Sequence, residues 1–236
     1  MVEKVTTSNQ ELTGNDKSDG EKPAWRCRNT IILFILITAA GLAGDLLSKH
    51  YAFKSVLDDD ALPKKIEDLQ NKYEGDLSGM QLLGLMEKKR LAPGVQITLS
   101  LNPGIVFSLS MPKAIVHIAT AITLLLVIML FVTSSDKAWS IHIALALIMA
   151  GALGNWYDRA FSSVTLPGAD PIRHHVRDFI DCSELYYNYI FNVADVLLVV
   201  GVAIMILHWI ITGRKQASVK NSDTPRKKRR PSRASR

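Results

Sequence analysis

The residues best suited to chemistry in this sequence are aspartates and asparagines at or near the ends of its long apolar runs. The clearest group is Phe-Asn-Val-Ala-Asp at 191–195, where Asn192 and Asp195 begin the last such run. One interpretation is a helix cap, with Asn192 as the N-cap and Asp195 in the first turn. The other is a functional site, because an ionisable group at the edge of a spanning helix is costly to desolvate and usually faces a polar cavity. The full set is Asp45, Asp158, Asp178, Asp195, Asn102, Asn155 and Asn192.

Two neighbouring carboxylates in a partly dehydrated site can hydrolyse an amide bond. Like charges a few ångströms apart cannot both stay ionised cheaply, so the pair shares one proton and titrates as a unit. The ionised carboxylate takes a proton from water, and the protonated one polarises the scissile carbonyl. This is the chemistry of aspartic proteases, and no serine in a nucleophile elbow offers a rival.

Four apolar runs must position these residues. The chain has 236 residues, of which 48% are hydrophobic and 21% charged. Each run approaches the roughly 20 residues that a bilayer requires. The first run could be a signal peptide, since Ala39, Ala40 and Gly41 resemble a cleavage site, but three further apolar segments favour an uncleaved helix. We predict spanning helices over the runs 30–44, 112–133, 139–157 and 196–212.

The predicted topology brings the polar residues to one side of the membrane. Four spans place both termini on one side, and Arg26, Arg28, Arg214 and Lys215 favour the cytoplasm for them. Every residue of the set then falls on the extracytoplasmic side. Capping explains one or two of these positions but does not predict a polar residue at that end of every helix. The net charge of +6 does not indicate nucleic acid, because the basic excess belongs to the tail after residue 213.

The predicted fold is an all-α polytopic membrane protein with four transmembrane helices, a small extracytoplasmic β element and a charged insertion after helix one. Alternating apolar residues predict the strand. The small residues Ala146, Ala150 and Gly154 recur every four positions and would let another helix approach closely. The predicted parts are a disordered cytoplasmic tail (1–29), a membrane domain (30–213) with an outer insertion (54–94), outer strand (95–101) and outer loop (158–190), and a basic disordered cytoplasmic tail (214–236).

Two other functions fit parts of the pattern. His174, His175 and Asp178 are close in sequence and could bind the metal of a hydrolase, for which solvent-exposed histidines are the plain alternative. A small transporter or assembly scaffold could use the polar cluster to bind an ion or lipid, although transporter sites tend to lie near the midplane. Asp45 and Lys49, at i and i+4, could form a simple salt bridge.

Five motifs together resemble the lipoprotein signal peptidases, also called signal peptidase II. The resemblance covers roughly residues 30–212 and rests on motifs in matching order. They are Gly-Asp-x-x-Ser-Lys (44–49), Asn-x-Gly-x-x-Phe-Ser (102–108), Gly-Asn-x-x-Asp-Arg (154–159), Val-x-Asp-Phe (176–179) and Phe-Asn-x-Ala-Asp (191–195).

The resemblance implies an aspartyl endopeptidase of the bacterial inner membrane that removes signal peptides from prolipoproteins, cutting before a diacylglyceryl-modified cysteine. It implies Asp178 and Asp195 as the catalytic pair, no metal and no cofactor. Prolipoproteins and membrane lipids are the expected partners, with no nucleic acid, and we expect a monomer. Asp158 is interpreted as pairing with Arg159 and ordering the loop. The implied supporting residues are Asp45, Lys49, Asn102, Gly104, Asn155, Asp158, Arg159, Asn192 and Ala194.

Overall fold

The structure is a computed structural model that describes residues 22–73, 77–104 and 112–222, with side chains as far as 213. Residues 1–21 of the first predicted tail and residues 223–236 of the second lie outside the described residues. So does the part of the 102–108 motif that follows Gly104.

Six α-helices and six β-strands make up the described part of the chain, with short 3-10 turns at Ala24–Arg26 and Ser183–Leu185. The helices are α1 Arg28–Leu57, α2 Leu62–Lys72, α3 Gly79–Leu85, α4 Lys113–Thr133, α5 Trp139–Phe161 and α6 Val193–Ser222. The strands are β1 Lys89–Ala92, β2 Val95–Asn102, β3 Ser163–Val164, β4 Ile172–Arg173, β5 Val176–Cys182 and β6 Tyr187–Phe191.

Four of these helices, α1, α4, α5 and α6, are long and apolar enough to cross a membrane among the described residues. Their most apolar windows have mean hydropathies of 2.2, 2.8, 1.3 and 2.5 in that order. The least apolar helix, α5, is also the one most buried by protein, while the other three expose apolar side chains such as Leu36, Leu125 and Val199. The predicted four-helix membrane fold with a small sheet is therefore confirmed.

Small residues allow α5 to occupy the centre of the helices. Thr38 of α1 donates a hydrogen bond to the Ala146 carbonyl oxygen at 3.3 Å, and a Cβ added to Gly41 would lie 2.8 Å from the Ala150 Cβ. The predicted close approach at this stripe is thus made by α1. On the α6 side, a Cβ at Gly151 would collide with the Ala194 carbonyl oxygen.

Gly151→Ala is expected to destabilise the protein by about 1–3 kcal/mol, as overpacking does elsewhere. The added methyl group would meet backbone of α6, which cannot turn aside as a flexible side chain can. The matched control is Gly44→Ala, where a Cβ meets nothing within 4 Å. Thermal unfolding in detergent should therefore show a loss for Gly151→Ala only, and equal unfolding temperatures for both variants would contradict this packing.

The insertion after α1 packs more tightly than its charge predicts. It contains two short helices as expected, and α3 begins with a capping box in which Ser78 and Gln81 bond each other's backbone. Leu62 and Ile66 of α2 and Leu82 and Leu83 of α3, however, are buried in a cluster with residues of the sheet rather than exposed to water. Their charged neighbours hide this amphipathic pattern. The buried cluster includes Leu62, Ile66, Leu82, Leu83, Leu99 and Phe179.

An antiparallel sheet of order β1-β2-β5-β6 lies at one end of the four helices, which we call the sheet side. The pairing places Ser100 of β2 opposite Asp178 of β5, and Asn102 opposite Val176. β6 pairs with β5 and runs directly into α6 through Asn192. The segment expected as an outer loop (158–190) thus begins with the end of α5, which extends to Phe161, and contains β3, β4, β5 and most of β6.

The last helix continues past the predicted boundary at residue 213. α6 runs to Ser222, so the first part of the predicted tail is helical. Arg, Lys, Gln and Ala follow Gly213, and these residues have high helix propensity, which lets the helix continue beyond its apolar part.

Candidate active site

Asn192 links the two carboxylates that the sequence nominates for catalysis. Its side-chain amide donates to Asp178 Oδ1 at 2.5 Å, and its Oδ1 accepts from the backbone N–H of Asp195 at 3.1 Å. The backbone N–H of Asn192 in turn donates to Asp195 Oδ2 at 3.2 Å. The helix cap and the functional site are therefore the same structure, because the capping side chain also holds Asp178.

Asn155 of α5 is the second bridging carboxamide. Its Nδ2 donates to Asp195 Oδ1 at 2.8 Å. Its Oδ1 accepts from Lys49 Nζ at 3.2 Å and from Asn192 Nδ2 at 3.1 Å. Because its oxygen faces two donors and its nitrogen faces an acceptor, the Asn155 amide has one orientation. It holds Asp195 beside Asn192, which contacts Asp178.

Lys49 is the cation of a buried ion cluster that contacts Asn155 next to the carboxylate pair. Its buried ammonium lies 2.7 Å from Asp45 Oδ2, as the i, i+4 spacing predicts, and 3.1 Å from Asp158 Oδ2. The other oxygen of Asp45 accepts the backbone N–H of Ala194 at 2.8 Å. Gly154 leaves space for this carboxylate, since a Cβ there would collide with it. Helices α1, α5 and α6 are thus joined through one buried ion cluster.

Asp158 does not pair with Arg159, which corrects the prediction from sequence. It binds Arg177, accepting from Nε at 2.9 Å, from Nη2 at 2.6 Å and from the backbone N–H at 3.0 Å. Successive residues of a helix point about 100° apart, so Asp158 and Arg159 face different neighbours. Arg159 Nη1 instead donates to the Asn155 carbonyl oxygen at 3.3 Å.

Sequence reasoning missed Arg177 altogether. The only local signal was a charged residue directly before Asp178, in a segment interpreted as loop. In the structure Arg177 fixes β5 to α5, so the interpretation that Asp158 orders this segment agrees with the contacts, although its partner differs.

Asn102 and Gly104 close the site at the end of β2. The Asn102 side chain hydrogen-bonds Asp178, and its Oδ1 accepts the Gly104 N–H at 3.0 Å. Gly104 has φ of 101°, a conformation that glycine adopts at no steric cost. The turn can therefore fold the asparagine back over Asp178.

Burial changes the acidity of Asp178, whose residue surface is 3% exposed. Desolvation raises the pKa of its carboxyl to about 7, and the negative charge of Asp195 acts in the same direction. Hydrogen bonds from Asn192 and Asn102 and the charge of Lys49 oppose this shift. At neutral pH, Asp178 is consequently poised between its protonated and ionised forms.

The histidines of the alternative metal site lie elsewhere. His175 Nδ1 contacts the carbonyl oxygen of Arg173 at 2.7 Å, and His174 lines a groove between α4 and α5. Within the described residues, no three His, Cys, Asp or Glu side chains are grouped closely enough to hold a metal ion.

The fold and the site together define a multi-pass membrane protein with a carboxylate pair, one member buried and the other partly buried, at one end of its helices. Two solved structures, each described as a bacterial membrane enzyme determined by the in meso method, share this fold. One, at 2.3 Å resolution, aligns with a TM-score of 0.52 and 23% identity over 84% of this chain and 94% of its own. The other, at 1.9 Å, has the same TM-score and identity over 75% and 92%.

The family model for signal peptidase (SPase) II matches residues 37–211, and the chain belongs to this family. The lipoprotein signal peptidase of Methylocella silvestris is 33% identical over 130 residues, covering 52% of this chain and 68% of that protein. The lipoprotein signal peptidase of Halalkalibacterium halodurans is 44% identical over 80 residues, covering 34% of this chain and 44% of that protein.

Proposed function

We propose that this chain removes signal peptides from diacylglyceryl-modified prolipoproteins by cleaving before the lipidated cysteine, with Asp178 and Asp195 as its catalytic pair. Membership of the signal peptidase II family and similarity to lipoprotein signal peptidases support the reaction. The observation that carries the residue assignment is the Asn192 link, which holds the buried carboxylate of β5 next to the partly buried carboxylate of α6.

The contacts suggest a division of labour between the two carboxylates. Asp195 accepts hydrogen bonds on both oxygens, from Asn155 and from the Asn192 backbone, as suits an ionised group. Asp178, whose pKa is raised, holds the shared proton. Asp195 removes a proton from water as the water oxygen attacks the scissile carbonyl, while Asp178 donates a hydrogen bond to the carbonyl oxygen. The proton that Asp195 took from water then passes to the departing amine of the cysteine as the peptide bond breaks.

The position of the pair along the helices suits a lipid-anchored substrate. At 1.5 Å per residue, Asp45 lies about 26 Å along α1 from Arg28, close to the far boundary of a hydrocarbon core about 30 Å thick. Basic residues flank the opposite ends of the membrane helices, which favours cytoplasmic termini and an extracytoplasmic site. A diacylglyceryl chain and signal helix would hold the scissile bond at that depth, and such positioning supplies much of a rate advantage.

The direct test uses purified protein, taken to be a monomer, and a synthetic prolipoprotein with or without diacylglyceryl on its cysteine. Mass spectrometry should show one cut, directly before the lipidated cysteine, and little cleavage of the unlipidated peptide. A cut elsewhere, or equal cleavage of both peptides, would contradict the proposed specificity.

Arg177→Met is expected to lower kcat by about 10- to 100-fold with little change in KM, since small displacements of a catalytic group have effects of this size. Loss of the Asp158 contacts would free β5 next to Asp178 without touching the substrate. Arg177→Lys should restore only part of kcat, because an ammonium cannot reproduce the guanidinium fork. The matched control is Arg173→Met on exposed β4. A raised KM with unchanged kcat would instead make Arg177 a binding residue.

A further inference from the structure

A groove of about 600 Å³ lies between the sheet-side ends of α4 and α5 and shares only Arg159 with the site described above. Four basic side chains line its mouth: Lys113 and His117 from α4, Arg159 from α5, and His174 from the turn before β5. Lys113 and His174 are exposed, whereas His117 and Arg159 are partly buried. The mouth is therefore a concave basic surface rather than a scatter of surface charges.

The deeper part of the groove is apolar. Ala121 lies two helical turns below Lys113 on α4, and Trp156 lies about one turn below Arg159 on α5. The neighbouring surface of α4 exposes Ile118 and Leu125 towards the surroundings of the helices. A ligand that fits both parts has a charged head and an apolar chain, and it meets this groove from within a membrane.

No carboxylate lines this groove among the described residues. The carboxylates that interact electrostatically with the Arg159 guanidinium are Asp158, Asp178 and Asp195, which belong to the site described above. Arg159 Nε is buried and has no hydrogen-bond partner among the residues that the structure describes. The groove thus offers donors to an anion but no described carboxylate to pair with the ammonium of a zwitterionic head group.

His174 reaches this surface through an unusual backbone. Its φ of 66° lies in the left-handed region, which is uncommon for residues other than glycine and costs about 1–3 kcal/mol. A hydrogen bond from its N–H to the Ser162 carbonyl oxygen, 2.9 Å long, holds the conformation. The fold thereby keeps an imidazole at the mouth of the groove at an energetic cost.

We propose that this groove binds the phosphate of an anionic phospholipid from the membrane leaflet on the sheet side. The basic mouth holds the phosphodiester, and the acyl chains lie along Ala121, Trp156 and the exposed face of α4. The inference does not depend on the proposed cleavage reaction, since no prolipoprotein takes part in the binding.

The test is lipid retention by the full chain, purified and mixed with equal amounts of dioleoyl phosphatidylglycerol, phosphatidylethanolamine and phosphatidylcholine, and measured by native mass spectrometry. Wild type should retain phosphatidylglycerol preferentially. The double variant Lys113→Gln, His117→Gln should reduce that preference about fivefold or more, which is the effect of removing one lysine from an anionic lipid surface. The matched control is Lys54→Gln, which removes an exposed sheet-side lysine that does not line the groove.

Three results would overturn the proposal. These are equal retention of phosphatidylglycerol and phosphatidylethanolamine by wild type, an unchanged preference in the double variant, and a wild-type preference that does not depend on salt. If the double variant fails to fold, wild type alone still decides, because a preference due to charge must weaken as salt is raised from 50 to 500 mM. A preference that ignores salt overturns the proposal, while cleavage activity is unaffected by either outcome.

Discussion

Asp178→Asn and Asp195→Asn should each lower kcat/KM for prolipoprotein cleavage by about a thousandfold, within the range seen when general acid–base groups are removed. An asparagine keeps the shape of the carboxyl group but only one of its two oxygen acceptors. Asp178→Asn can therefore keep the hydrogen bond from Asn192. Asp195→Asn keeps only one of the two that Asp195 accepts, from Asn155 and from the Asn192 backbone. It can neither take a proton from water nor share one. The matched control is Asp59→Asn, an exposed aspartate that contacts Lys65 in the insertion and should leave activity unchanged.

The stability of Asp178→Asn separates loss of chemistry from loss of fold. The pKa of Asp178 is about 7 in the folded protein against an ordinary value of 3.8. Between these two values the folded state keeps a proton that the unfolded state has released, so wild-type stability falls as pH rises. The variant lacks this loss and should gain thermal stability relative to wild type between pH 5 and pH 8. If Asp178→Asn were inactive and less stable than wild type by the same amount at pH 5 and at pH 8, this account would be contradicted.

The pH dependence of the rate gives a third measurement on the same pair. Cleavage should decline above about pH 7 as the pair loses its shared proton, an event that belongs to both carboxylates. Asp158→Asn provides the opposing test. If that change alone abolished turnover in a folded protein, the assignment of Asp178 and Asp195 would be wrong.

Lys49→Met should destabilise the protein by about 3–5 kcal/mol, as removal of one partner from a buried ion pair does. The ammonium is fully buried and contacts two fully buried carboxylates, Asp45 and Asp158. Methionine fills the same space but leaves the Asp45 charge without a cation, while Asp158 keeps its contact with Arg177. The variant should therefore unfold at much lower temperature and lose cleavage with its structure.

A second substitution distinguishes the ion cluster from simple packing. Adding Asp45→Asn to Lys49→Met should recover part of the lost stability, because it removes the carboxylate that has lost its cation. Lys54→Met is the control, since Lys54 is exposed and lies 3.9 Å from Asp58, where an ion pair contributes about 0–1 kcal/mol. Additive losses for Lys49→Met and Asp45→Asn would show that Lys49 acts through its alkyl chain alone.

The helices and the members of the site were accessible from the sequence because they carry strong signals. Long apolar runs define α1, α4, α5 and α6, and the polar residues at their ends follow from the order of the spans. The pairing of Asp45 with Lys49 follows from helix periodicity. The sequence predicts that residues of different helices, such as Lys49 of α1 and Asn155 of α5, lie at a similar depth in the membrane, but it does not predict that they are in contact.

The sheet was harder to predict because function occupies its buried positions. In β5 the buried residues are Val176, Asp178, Phe179 and Asp181, so both faces of the strand are partly buried, each carries a carboxylate, and the usual apolar alternation is absent. Asp181 is held there by Lys88 of the insertion at 2.7 Å and by Thr98 at 2.7 Å. Partners so distant in sequence leave no local pattern.

The unbroken course of α1 makes bilayer thickness a variable of the reaction. This helix runs from Arg28 to Leu57, which at 1.5 Å per residue is about 45 Å, and it carries Asp45 and Lys49 without a kink-inducing proline. A bilayer thinner than its apolar stretch is accommodated by tilting such a rod. Tilt moves the carboxylates relative to a scissile bond whose height is set by its own acyl chains, so lipid chain length tunes how well enzyme and substrate meet.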